Sequence, residues 1–131
     1  MKFGYTILHV RDVPRAVAFY EDAFGLTRKF VHEAGLYAEM ETGGTTLAFA
    51  AESLAKNNLP CGFEENRISK LPAGFEIVLV TGNIEEAYQR AVNAGAAPIS
   101  PPTPKPWGQI VAFLRDADGI VVELCTPAAA F

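Results

Sequence analysis

Tyr5-Thr6-Ile7-Leu8-His9-Val10-Arg11-Asp12-Val13-Pro14-Arg15-Ala16 and, further on, Glu76-Ile77-Val78-Leu79-Val80-Thr81-Gly82-Asn83-Ile84-Glu85-Glu86-Ala87 read as two copies of one design. Each begins with a strand-like run, passes through an Asx residue and continues at helical spacing. Asp12 and Asn83 are suited to accept hydrogen bonds from the open donors of a first helical turn. Both helices end in small residues and glycine, Asp22-Ala23-Phe24-Gly25 in one and Asn93-Ala94-Gly95 in the other. One offset, 71, carries Tyr5 onto Glu76, Asp12 onto Asn83 and Asp22 onto Asn93.

The apolar stripes support the pairing. Val13, Ala16, Val17, Phe19 and Tyr20 recur at helical spacing, followed by Phe24; in the second copy the stripe is Ile84, Ala87, Tyr88, Ala91 and Val92. One stripe per helix fits packing against one face of a sheet. Three further strands are expected after each helix. In the first half these are Arg28–His32, Leu36–Glu41 and Thr45–Ala51; in the second they are Ala97–Ile99, Gln109–Leu114 and Ile120–Cys125. The turn Asp116-Ala117-Asp118-Gly119 separates the last two. Gly44 and Gly119 stand 75 apart, four more than the helices do. Those residues fit the segment Ser100–Trp107, whose four prolines are expected to forbid regular strand pairing.

The fold class implied is α+β: two βαβββ modules forming a curled mixed sheet around a ligand cavity, with the helices outside. One domain is expected over residues 1–131, with module one at 1–52, a connecting loop at 53–74 and module two at 75–131. That loop is long for a structureless connection, so a short helix around Leu54–Asn57 or a flap is expected there. Strand alternation sorts the side chains. Leu8, Val10, Ile77, Leu79, Val122 and Leu124 are assigned to the helix layer. Tyr5, Ile7, His9, Glu76, Val78, Val80, Val121, Glu123 and Cys125 are assigned to the inner wall.

Composition narrows the partners. Half of the 131 residues are hydrophobic, a fifth are charged, and the formal net charge is −4. Without a basic stripe, nucleic acid and anionic membrane surfaces are not expected partners. No apolar run reaches the ~20 residues that a membrane-spanning helix needs. The run Phe3–Val10 lacks the marks of a signal peptide. Cys61 and Cys125 are expected as reduced thiols, and the protein as cytoplasmic.

The segment from Val10 to Tyr20, continuing to Phe24-Gly25-Leu26, resembles the opening of the vicinal oxygen chelate superfamily, the glyoxalase/bleomycin-resistance/dioxygenase group. Trp107-Gly108-Gln109, Arg115-Asp116-Ala117-Asp118-Gly119 and Val122-Glu123-Leu124 are similar to its ending. The resemblance covers the chain apart from the central loop, and it implies the fold more sharply than the reaction. In catalytic members of the group, four side chains hold a divalent metal, and those positions match Tyr5, Ala48, Glu76 and Glu123 here. Ala48 has no donor, and the phenol of Tyr5 would first have to lose a proton of pKa about 10. A symmetric homodimer, which the resemblance also implies, repeats the same two deficits.

Glu123 stands among Val121, Val122 and Leu124, where an ionised carboxylate needs a partner or becomes neutral. It reads as a metal ligand, a catalytic base or an acceptor for a bound molecule, against the plainer alternative of an inherited residue satisfied by water or a tyrosine. Glu76 reads as its companion, or as a solvated strand end. His9 lies roughly 13 Å along the strand from Tyr5, too far to fill a metal position but able to meet a substrate at the cavity mouth. A satisfied structural histidine is its plainer reading. Trp107, on a proline-stiffened loop, reads either as a plate for stacking on a ligand or as cover for the sheet edge.

The resemblance therefore implies, first, a small-molecule-binding homodimer of the bleomycin-resistance type without metal, its substrate-binding residues Tyr5, His9 and Trp107 beside the two acids. The second implication is a glyoxalase-like lyase or isomerase. It would hold a divalent Mn, Mg, Ni or Zn ion on Glu76 and Glu123 and use Glu123 as the catalytic proton carrier. Dioxygenase chemistry ranks last, because it calls for histidine ligands that these positions lack.

Overall fold

The computed structural model describes residues 1–128, so the last three residues of the expected second module lie outside the described residues. The chain divides into two compact units, Met1–Asn66 and Arg67 onward.

In the first unit β1 (Tyr5–Val10), α1 (Val13–Phe24), β2 (Thr27–Val31), β3 (Tyr37–Glu41), β4 (Thr46–Ala51) and α2 (Glu52–Asn58) follow in order. The strands form a mixed sheet ordered β1-β4-β3-β2, with β1 parallel to β4 and the other pairs antiparallel. Asp12 caps α1 as expected, its carboxylate accepting from the backbone N–H of Arg15 at 3.0 Å. Gly25 ends the helix in the left-handed region at φ 67°. The helix buries Val13, Ala16, Val17, Tyr20 and Ala23. Tyr20 meets Phe49 of β4 edge-on at 5.0 Å between ring centres. Leu8 and Ala38 pair with Phe49 and so share its side of the sheet. The connecting segment contributes the short helix α2, placed where one was expected.

The second unit repeats the plan with β5 (Glu76–Val80), α3 (Ile84–Asn93), β6 (Ala97–Pro104), β7 (Ile110–Arg115) and β8 (Val121–Cys125). Its sheet is ordered β5-β8-β7-β6, with β5 parallel to β8. Asn83 caps α3 through the N–H of Glu86 at 3.2 Å. The strand registers carry both offsets of the duplication. Tyr5 pairs with Thr46 and Glu76 with Val121, separations of 71 along the first strands and 75 along the last.

β6 differs from the expected course. It does not stop at Ile99 but runs to Pro104, through Pro101 and Pro102, with register breaks between Pro98 and Ser100 and between Ser100 and Thr103. β6 is an edge strand, so N–H groups missing on its outer side cost no ladder bond, and the breaks absorb the rest.

Arg115 and Asp116 organise the end of the second unit. The Arg115 guanidinium donates to the carbonyls of Gly119 (2.8 Å), Ile68 (3.1 Å), Arg67 (3.1 Å) and Lys70 (2.7 Å). Asp116, 1% exposed, accepts from the N–H groups of Asp118 and Ile120, both at 2.9 Å. This is the turn that the sequence predicts, and its own backbone N–H groups occupy the buried carboxylate.

Candidate functional site: a carboxyl pair on the second sheet

Strand parity in the second unit is as expected. Ala112, Leu114, Val122 and Leu124 are buried on the α3 side. The opposite face carries Glu76, Val78 and Val80 from β5, Val121, Glu123 and Cys125 from β8, and Val111, Phe113 and Arg115 from β7. Across one row Val78, Glu123, Phe113 and Ser100 lie side by side. Glu123 is therefore half-buried between a valine and a phenylalanine, two residues along the register from the partner of Glu76.

The two carboxyl groups stand close enough to interact through charge and hydrogen bonding. Burial first, then the charge of Glu76 and this hydrogen bond, push Glu123 above the ordinary carboxylate range, while Lys105 pulls it the other way. A second negative charge beside Glu76 on a poorly solvated apolar face is costly, which is why Glu123 resists ionisation. Burial, together with the charge of Glu123, also raises Cys125, leaving it a neutral thiol.

Trp107 stands on the loop that joins β6 to β7. Its indole is 62% exposed yet fixed: Nε1 donates to Gln109 Oε1 at 2.9 Å, and Gln109 Nε2 donates to the carbonyl of Thr126 at 2.8 Å. Gly108, at φ 98°, makes the tight turn that presents the ring. In the sequence Gln109 has a place in a motif but no role, and Lys105 has neither; an amide two residues from the only tryptophan is the one available signal. Gln109→Ala is expected to lower the fluorescence anisotropy of Trp107 with little change in melting temperature. An unchanged anisotropy would mean that the loop holds the ring without the amide.

The remaining candidates lie in the first unit. Tyr5 is 58% exposed on the face opposite α1, next to Ile7. His9 is half-buried; its ring meets Phe63 edge-on at 5.0 Å, and its carbonyl accepts from Asn66 Nδ2 at 3.0 Å. It thus anchors the segment after α2. Ala48, wholly buried, pairs with Ile7 on one side and Glu39 on the other.

The donor set does not fit the four-ligand metal centre that the resemblance implies for catalytic members. Ala48 offers no donor, and the burial that raises Glu123 favours a proton, which competes with a cation for the same oxygens. Among the described residues no three His, Cys, Asp or Glu side chains gather as a metal group.

Two βαβββ units, each a β1-β4-β3-β2 type sheet with one helix across it, define the glyoxalase-like class of α+β proteins. The chain belongs to the Glyoxalase/Bleomycin resistance protein/Dioxygenase superfamily, whose family model matches residues 2–124. A glyoxalase-related enzyme from Fulvimarina pelagi is similar in structure, with a TM-score of 0.83 at 18% identity, over 97% of this chain and 88% of that one. A glyoxalase/bleomycin resistance protein/dioxygenase family enzyme from Burkholderia phytofirmans PsJN gives 0.83 at 20% identity, over 96% and 98%. A protein of unknown function from Agrobacterium tumefaciens str. C58 gives 0.79 at 25% identity, over 97% and 94%. No curated protein matches the chain. No helix of the described residues is long and apolar enough to cross a membrane.

Proposed function

We propose that the chain is a small-molecule-binding protein of the bleomycin-resistance type, acting as a homodimer and without a metal. The observation that carries this reading is the Glu76–Glu123 pair: two interacting acids on a face that also carries Val78, Val80, Val111, Val121, Phe113, Cys125 and Arg115. A carboxyl group pushed toward its neutral form, as Glu123 is, can donate as well as accept a hydrogen bond, which suits it to orient the polar end of a ligand whose apolar body lies along the valines. Trp107, exposed yet held in one orientation, supplies a flat surface whose ordering cost is already met in the free protein. Lys105 favours the ionised form of Glu123 against the stronger effects of burial and Glu76.

Protein purified without chelators is expected to contain no stoichiometric metal. Its melting temperature is expected to shift by less than about 1 °C on addition of Mn²⁺, Ni²⁺ or Zn²⁺ at concentrations that would saturate a tight site. Stoichiometric metal, or a shift of several degrees abolished by Glu123→Ala, would overturn the metal-free reading in favour of the glyoxalase-like lyase. In a thermal-shift screen of small molecules, hits are expected to weaken in Glu123→Gln and in Trp107→Leu. Hits indifferent to both variants would remove the second sheet from the binding reading. Light scattering on the purified protein tests the homodimer.

A further inference from the structure

The segment that leads into β5 crosses one end of the second sheet, and all of it from Arg67 onward lies within the second unit. At that end the acid-bearing face finishes in the row Glu76, Val121, Arg115 and Ala97, one residue from each strand. β5 and β8 begin there and β7 finishes there, since β5 is parallel to β8 and β7 antiparallel to it. The carbonyls of Arg67, Ile68 and Lys70 accept from the Arg115 guanidinium, and the Arg67 carbonyl also accepts from the Lys70 N–H at 3.1 Å, closing a turn. A Cβ on Gly119 would lie 2.6 Å from the Arg67 carbonyl oxygen, so this turn rests on the β7–β8 hairpin. Residues 67–70 are thus fixed at one side of the sheet end, and Glu76, in β5, is fixed at the other.

Between those two anchors the chain has length to spare and little to hold it. β5 and β7 stand two strand spacings apart, about 10 Å. The six steps from Lys70 to Glu76 reach up to about 20 Å when extended. That slack lets the middle of the segment rise about 9 Å from the line between its anchors. Laid over the sheet, such a reach covers the row of Val78, Glu123 and Phe113, two residues or about 7 Å from the end row. The run Leu71-Pro72-Ala73-Gly74-Phe75 carries no charge. Leu71 is 94% exposed, and a Cβ added at Gly74 would meet nothing within 4 Å. Among the described residues, one hydrogen bond holds 71–74: the Ala73 carbonyl accepts from the Phe75 N–H at 2.9 Å. Apolar groups that gain nothing by standing in water gain by lying on an apolar ligand.

We propose that residues 71–75 are a lid on the Glu76–Glu123 pair, hinged at Lys70 and Glu76, that closes over a ligand with an apolar body and screens its polar end from water. The Arg115 guanidinium fixes the first hinge. The lid's role rests on the reading of the pair as a ligand site, but its closure is tested without a ligand, so the two fail separately.

The test traps closure as a disulfide in the full chain, on a Cys61→Ser background. Ala73→Cys with Val78→Cys joins the middle of the segment to the acid-bearing face. Ala73→Cys with Glu85→Cys, on α3 and so across the sheet, is the comparison. All three positions are exposed. A disulfide needs the two Cα atoms within about 7 Å, so it captures even a minor closed population. In a glutathione redox buffer, cross-linking of 73 to 78 within one chain, read by mass spectrometry, is expected to run at least about tenfold faster than that of 73 to 85. Circular dichroism confirms that each variant is folded, and Val121→Cys replaces Val78→Cys if that variant does not fold. Faster intrachain cross-linking to the face supports the lid. Equal or slower cross-linking, or links formed only between chains, would overturn it and leave the ligand site itself to be judged by Glu123→Gln.

Discussion

Gly119→Ala is expected to destabilise the second unit by about 2–4 kcal/mol, measured by urea unfolding against the wild type. Two costs combine. Gly119 sits at φ 93°, where a side chain is strained whatever the space. The added Cβ would also lie 2.6 Å from the Arg67 carbonyl oxygen and 2.7 Å from an Arg115 guanidinium nitrogen. Neither neighbour moves cheaply, because that nitrogen donates to the Arg67 and Lys70 carbonyls and holds the 67–70 segment in place. A loss below about 1 kcal/mol would show that this segment can swing away and that the guanidinium does not fix it.

The other large effect belongs to the first unit. Phe49→Ala is expected to cost about 3–5 kcal/mol, because the ring is wholly buried and edge-on to Tyr20. That is a large share of the total stability of a small protein, so the variant is expected to melt far lower or to remain largely unfolded. Phe49→Leu keeps most of the volume and is expected to lose under about 2 kcal/mol. Equal losses from both variants would mean that packing around the ring, rather than burial of its area, sets the cost. Ala48 and Ala50 flank Phe49 on the same strand, so this core residue also supports the face that bears Glu39.

Much of this architecture follows from period and parity. The alternation in Glu76–Val80 and Val121–Cys125 puts both acids on one face, and the registers agree. The Asx caps were legible for the same reason: a short polar side chain before an apolar stripe has few other uses. The prolines of β6 misled because a proline's cost depends on whether its strand is an edge, which no local window reveals. Arg115 and Gln109 were legible as parts of a family pattern, but their bonding partners were not. Each acts through backbone carbonyls distant in sequence, and carbonyls leave no trace in residue identity.

The proline-bearing edge has a consequence for the fate of the chain at high concentration. A bare sheet rim invites another strand to dock through its unpaired amides, the first event in fibrillar stacking. β6 includes Pro98, Pro101, Pro102 and Pro104, and half of its eight residues can therefore offer no amide hydrogen to an incoming chain. Its two register breaks also spoil the even spacing that such docking needs. That rim of the second sheet is guarded against self-templating by the composition of the strand that forms it.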